Sequence, residues 1–278
     1  MPKVEAVQDR IDEMVGLDVV KDEIDTIITS ALADNDRRAR GKKVIPQDWN
    51  MILAGPPGTG KTTIAREIAP LFHALGLTEN DVVVPVTADD LKSEFLGGSA
   101  KQAKAIVESA KGGVLFIDEA YQLISGDKDE YGKEAIAAIL PMIEDPKTVV
   151  ILGGYEDEIR EMMAYNSGMT SRFGTTLHFE SYTASERADI LANKFEANDY
   201  VVPAATKKAM LKAVLYTGQG NARDVSRLSE KVLNAYNRRV VEAGVGDDVI
   251  TVADVVEGGE AYAASNPDSG IERDDDRD

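Results

Sequence analysis

The chain contains no cysteine, which excludes disulfides, thiol catalysis and thiolate metal centres. Histidine is nearly as scarce. His73 and His178 are the only two, and their separation argues against a zinc centre or a histidine-based hydrolase. Aromatic residues make up 6% of the chain, with a single tryptophan; Trp49 and His73 are expected to serve core or edge packing. No apolar run approaches the roughly 20 residues that span a bilayer, and the opening MPKVEAVQDR lacks the pattern of a signal peptide. A cytoplasmic protein without membrane association is expected. Positive charge is also short: 31 Lys and Arg against 49 Asp and Glu give a net charge of -18. Such a surface repels nucleic-acid phosphates and anionic lipid. The basic cluster Arg37, Arg38, Arg40, Lys42 and Lys43 runs against that average, and its simplest reading is cations at a helix C-terminus.

What is present is an ordinary globular composition, 43% hydrophobic and 29% charged over 278 residues, enough for one large domain or two modest ones. The first 45 residues have helical spacing. Short apolar runs then recur at 49–55, 81–86, 113–118, 148–154 and 175–180, mostly separated by helical segments. That alternation predicts βαβ units and a parallel sheet flanked by helices. Beyond Glu180 the strand signals stop. The segment TASERADILANKF opens on a capping box, Thr183 with Glu186, and further helices follow. The expected organisation is an α/β part over 1–180, a smaller all-helical part over 181–264 and an acidic tail over 265–278, whose composition predicts disorder.

The stretch GPPGTGKT (55–62) fits G-x-x-x-x-G-K-[ST] between an apolar strand and a helix. Glycines there let backbone amides wrap a phosphate, and the helix N-terminus adds partial positive charge. Pro57, Gly58, Thr59, Gly60, Lys61, Thr62 and Thr63 are the candidate nucleotide contacts, with Lys61 bridging the β- and γ-phosphates and Thr62 coordinating Mg²⁺. VLFIDE (114–119) supplies the carboxylates: Asp118 for the Mg²⁺ shell and Glu119 to polarise the attacking water. Arg172, in GMTSRFG, is placed to stabilise charge on a γ-phosphate of a neighbouring subunit. Arg223, in GNARDV, opens a helix of the second part and is a further candidate contact.

These motifs resemble the AAA+ ATPases, and within them the CbxX/CfxQ (CbbX-type) branch that includes SpoVK-like and EccA-like proteins. GLDVVKDEI, GPPGTGKT, FIDEAYQL, YGKEAI, GGYEDEI, NSGMTSRF and GNARDV carry the resemblance, in the family's order, from about residue 12 to 230. The resemblance implies an AAA+ P-loop fold with a helical lid, ATP and Mg²⁺ as ligands, and a homo-oligomeric ring, usually a hexamer. It further implies Val15 and Gly16 at the adenine pocket, Arg172 as an arginine finger acting in trans and Arg223 as second sensor. One departure concerns Gly154-Tyr155, where many AAA+ proteins end the fourth strand on Asn or Thr; the first-sensor role of Tyr155 is left open. Tyr121 and Tyr131 are expected to be structural. The resemblance also places Phe95, Leu96 and Gly97, in SEFLGGSA, on the loop that faces the ring's pore. An aromatic-aliphatic-glycine triplet suits an extended polypeptide better than nucleic acid.

The leading expectation is therefore an ATP-driven, ring-forming motor that remodels a protein client. Two alternatives stand beside it: a nucleic-acid-associated ATPase of the loader type, and a nucleotide-gated scaffold.

Overall fold

The computed structural model describes residues 2–92, 98–126, 128–218, 220–244 and 246–266. Phe95, Leu96, Gly97 and the acidic stretch from 267 onward lie outside the described residues. The chain divides into two compact units, one of Met1–Pro56 with Gly60–Phe179, the other of Pro57–Thr59 with Glu180–Asp278.

In the first unit, α1 (Pro2–Asp12) and α2 (Asp18–Ala39) precede β1 (Met51–Ala54) and α3 (Lys61–Ala74). There follow β2 (Val83–Thr87), α4 (Ala88–Leu91), α5 (Gly98–Ala110), β3 (Val114–Asp118) and a 3₁₀ turn, Ala120–Leu123. The unit closes with α6 (Glu130–Ile143), β4 (Val149–Gly154), α7 (Glu156–Ala164), α8 (Ser167–Thr170) and β5 (Thr175–His178). The five strands form one sheet in the order β2-β3-β4-β1-β5, with every pairing parallel. Strands β1 and β4 are buried throughout and β3 nearly so, while the edge strands β2 and β5 are half-exposed. That is why the central runs are almost continuously aliphatic. Pro85 is tolerated because β2 is an edge.

Alternation along the strands sends side chains to two cores. Met51, Leu53, Phe116 and Ile151 join residues of α1, α2 and α3 on one face. Ile52, Ile117, Val150 and Leu152 join α4 to α7 on the other. Trp49 packs edge-on against Phe72, ring centroids 6.1 Å apart, and His73 Nδ1 lies 3.5 Å from the Thr78 carbonyl, so both serve packing as their sequence context suggested.

Buried Asn50, just before β1, makes two bonds that fix where the sheet begins. Its Nδ2 donates to the Ile143 carbonyl at 3.0 Å, and its Oδ1 accepts from the Val150 amide at 2.8 Å. The opposite end of β1 is fixed by a close approach: a side chain on Gly55 would collide with the Phe179 carbonyl, whose own amide donates to Ala54 at 2.7 Å.

The second unit contains α9 (Ala184–Glu196), α10 (Ala204–Ala213), a 3₁₀ turn (Val214–Tyr216), α11 (Asn221–Ala243) and α12 (Val252–Ser265). Thr183 and Glu186 form the capping box expected at the start of α9, and Thr251 with Asp254 forms a second one at α12. Its core gathers Leu191, Phe195, Val225, Leu228, Val232 and Tyr262, among others. Helices α11 and α12 touch so closely that a Cβ on Gly258 would sit 2.6 Å from the Val232 main chain. Arg239 ties the same pair together, reaching Asp254 at 3.0 Å and the Val249 carbonyl at 2.8 Å. Among the described residues no helix is long and apolar enough to cross a membrane.

Replacing Asn50 strands a buried carbonyl and a buried amide. Asn50→Ala is expected to lower the stability of the first unit by about 1–3 kcal/mol. Urea unfolding followed through Trp49 fluorescence checks this, and an unchanged midpoint would contradict it.

Candidate functional site

The parallel register ends β1, β3 and β4 at one edge of the sheet. Ala54 is level with Gly154 and Thr87 with Asp118. The Gly55 amide continues the ladder to the Gly154 carbonyl at 2.9 Å, and the chain then turns through the phosphate-loop motif into α3. Gly58 and Gly60 take positive φ, 74° and 97°, a backbone region that a side chain disfavours. Thr63 is exposed on the first turn of α3, and Lys61 is buried. The Lys61 ammonium donates to the carbonyls of Gly55 and Pro56 at 2.8 and 2.7 Å, folding back over the start of its own motif.

Thr62 Oγ1 donates to Asp118 Oδ2 at 3.3 Å, so the two residues proposed for the metal do meet. Space for Asp118 depends on the glycine pair at the end of β4. A Cβ on Gly153 would lie 3.1 Å from Asp118 Oδ1 and 2.9 Å from the Phe116 ring. Among the described residues no group of three or more His, Cys, Asp or Glu could hold a metal unaided. One hydroxyl and one carboxylate nevertheless suit Mg²⁺, which keeps waters and takes phosphate oxygens for the rest of its octahedron. The donor set fits Mg²⁺ delivered with a nucleotide.

Glu119 follows in the left-handed region, φ 49°. Its amide donates to Asp118 Oδ1 at 3.0 Å, and its exposed carboxylate accepts from Gln122 Nε2 at 2.7 Å. Lys92, directly before residues 93–97, donates to the Gln122 carbonyl at 2.7 Å and to Asp129 Oδ2 at 2.9 Å. Burial opposes ionisation of Asp129. The Lys92 ammonium and the amides of Gly132 and Ser125 outweigh it and hold the carboxyl below its usual range. The motif YGKEAI has a steric reason here, since a side chain on Gly132 would collide with the Leu123 carbonyl.

The remaining first-unit candidates make other contacts. Val15 and Gly16 form the α1–α2 turn, where Gly16 and Leu17 have φ of 61° and 63° and Lys21 Nζ donates to the Met14 carbonyl at 2.6 Å. Arg172 donates to Glu144 Oε1 at 2.8 Å and to the Gly168 carbonyl. The structure does not bring Arg172 to Thr62 or Asp118 of its own chain. Tyr155 opens α7 with its side chain 44% exposed. It is Tyr121 whose ring lies 3.0 Å from where a Gly154 side chain would begin.

The loop tip Pro57–Thr59 packs within the helical unit. Pro57, Gly58 and Thr59 offer their carbonyls to Asn221 Nδ2 at 3.3 Å, the Ala222 amide at 3.0 Å and the Tyr182 hydroxyl at 3.0 Å. Burial, helped by the charge of Glu186, pushes the Tyr182 phenol up to about 12, so it stays a donor at neutral pH. In a trans peptide the carbonyl and the following N–H point oppositely. The amides of Gly58 and Gly60 therefore face away from the donors to the preceding carbonyls, on the side where an anion can take them. Arg223 is exposed on the first turn of α11. Sequence reasoning missed Gln122, Lys92, Asp129, Tyr182 and Asn221. Gln122 and Asn221 stood inside quoted motifs, but only their hydrogen bonds give them roles.

A sequence profile of the ATPase family associated with various cellular activities (AAA) matches residues 51–180. The ESX-1 secretion system protein EccA1 of Mycolicibacterium smegmatis is 36% identical over 242 residues, covering 85% of this chain and 42% of its own length. The chain thus spans about two fifths of that relative. A CfxQ homolog from Galdieria sulphuraria is 33% identical over 269 residues, covering 90% of this chain and 86% of its own. Among solved structures, the Thermotoga maritima RuvB Holliday junction branch migration motor superposes with a TM-score of 0.57 at 21% identity, covering 87% of this chain and 69% of its own. The FIGL-1 AAA domain gives 0.60 at 18%, covering 93% and 89%. At such identities the structural matches speak to fold alone. The match to the CfxQ homolog runs across most of both chains, and with it this chain belongs to the CfxQ/EccA-like family of AAA+ ATPases.

Proposed function

We propose that the chain is a Mg²⁺-dependent ATPase that works in the cytoplasm as a homo-oligomeric ring, a hexamer, and remodels a protein client. The observation that carries the catalytic half is the contact of Thr62 with Asp118 beside the phosphate loop, with Glu119 next in the chain. Lys61 places its charge on the β- and γ-phosphate oxygens, and the loop amides hold the β-phosphate. Thr62 and Asp118 would hold Mg²⁺, which would supply positive charge against the phosphates. Glu119 orients the attacking water and takes its proton. Arg172 acts on the nucleotide of a neighbouring subunit; its own chain holds it at Glu144, away from Thr62 and Asp118. Arg223 contacts the nucleotide from the helical part, and Val15 and Gly16 line the adenine pocket.

The client half rests on sequence. Phe95, Leu96 and Gly97 grip an extended polypeptide at the ring's pore, and a net charge of -18 disfavours nucleic acid in that place. The kinship to secretion-system and CfxQ proteins is compatible with work on protein.

Glu119→Gln is expected to keep ATP binding and lose about 10²–10⁴-fold in turnover, read by nucleotide affinity and phosphate release; wild-type turnover would remove Glu119 from the mechanism. With casein as an unfolded test client, ATP turnover is expected to rise, and Phe95→Ala is expected to abolish that rise. A rise that survives in Phe95→Ala would contradict the gripping role.

A further inference from the structure

Gln122, Lys92 and Asp129 stand at the catalytic edge without a part in the chemistry described above. Gln122 lies one 3₁₀ turn beyond Glu119. Its main-chain N–H donates to the Glu119 carbonyl at 2.9 Å and its Nε2 to Glu119 Oε2 at 2.7 Å; the Tyr121 hydroxyl is 3.5 Å from the same nitrogen. The Gln122 carbonyl accepts the Lys92 ammonium, which also reaches Asp129. The Lys92 and Asp129 side chains are only 19% and 12% exposed. Asp129 is anchored in turn by the amides of Ser125 at 2.9 Å and Gly132 at 2.8 Å.

We propose that Gln122 is a positioning residue for Glu119, and that Lys92 and Asp129 hold Gln122 in register through its main chain. This rests on Glu119 being the residue that activates water. An exposed glutamate has three side-chain torsions to fix, and a base acts only when its oxygen is held at the reacting water. Gln122 clamps Oε2 and leaves Oε1 to accept the proton. A glutamate at 122 has no N–H to offer at neutral pH, so the role depends on the amide and not on side-chain size. Lys92 is also the last described residue before 93–97.

The test uses the full chain with Mg²⁺-ATP and reads kcat separately from the Kd of a fluorescent ATP analogue. Gln122→Ala and Gln122→Glu are expected to lower kcat by about ten- to a hundredfold and to leave Kd within about twofold. Lys92→Met is expected to move kcat the same way and Lys92→Arg to restore most of it. The Lys92→Met/Gln122→Ala pair is expected to be no slower than the slower single variant, because both act along one path. Gln122→Ala is expected to cost nothing further in a Glu119→Gln background. A wild-type kcat in Gln122→Glu, a loss confined to Kd, or additive losses with Glu119→Gln would each overturn the proposal. Glu119→Gln turning over like wild type is a different outcome, and would sink the underlying catalytic reading instead. Because Gln122 is exposed, its variants are expected to melt with the wild type, and a lowered melting temperature with unchanged kcat would also count against the role.

Discussion

The site depends on one constraint, the common edge at which three parallel strands stop. Ala54 ends level with Gly154, and Asp118 ends level with Thr87. The ladder then hands the chain to the phosphate loop through the Gly55 amide. Shifting β3 by one residue would point Asp118 to the other face of the sheet and leave Thr62 without its partner. The glycines at the end of β4 are part of the same constraint, because a Cβ on Gly153 would crowd Asp118 Oδ1 and Phe116. A polar side chain at the end of this strand would have to compete for that volume, and the chain places glycine there instead.

Charge is arranged locally at this edge, within a chain whose net charge is -18. Lys61 is the buried cation of the loop, satisfied by two carbonyls of its own motif. The peptide groups of the loop tip add oriented dipoles, since three successive carbonyls are taken up by Asn221, Ala222 and Tyr182. Dipoles fixed in this way need no reorganisation when charge develops, which is where preorganised sites gain most. Behind the carboxylates, Lys92 and Asp129 form a half-buried pair that three further groups, the Gln122 carbonyl and the Ser125 and Gly132 amides, keep in place. These partners offset the desolvation cost that makes isolated buried ions unfavourable.

The fold was largely legible because its central strands β1, β3 and β4 are buried on both sides. Runs such as VLFID and VVILGG admit few readings once helices alternate with them, and GPPGTGKT between a strand and a helix has the pattern of a phosphate loop. Asp118 and Glu119 followed from their place at a strand end. Gln122 did not, because its role is a side-chain bond back across one turn and then a main-chain bond to a residue thirty positions earlier. Asn221 was hidden for a similar reason: a buried asparagine with φ 51° at a helix start reads in sequence as one more cap. Arg172 was legible only as a residue type at a position, since within one chain it is paired with Glu144. Phe95, Leu96 and Gly97 were assigned to a pore loop through the family resemblance alone, since an aromatic-aliphatic-glycine triplet has no such meaning outside it.

The measurement that tests the central claim most directly is steady-state ATP turnover per subunit over a wide range of chain concentration, with Arg172→Ala beside the wild type. A site completed by a neighbour's arginine predicts turnover per subunit that climbs steeply with concentration, and an Arg172→Ala chain that stays low throughout. Turnover per subunit that is the same at every concentration, and undiminished in Arg172→Ala, would show that one chain holds a complete site and that the ring is not needed for hydrolysis.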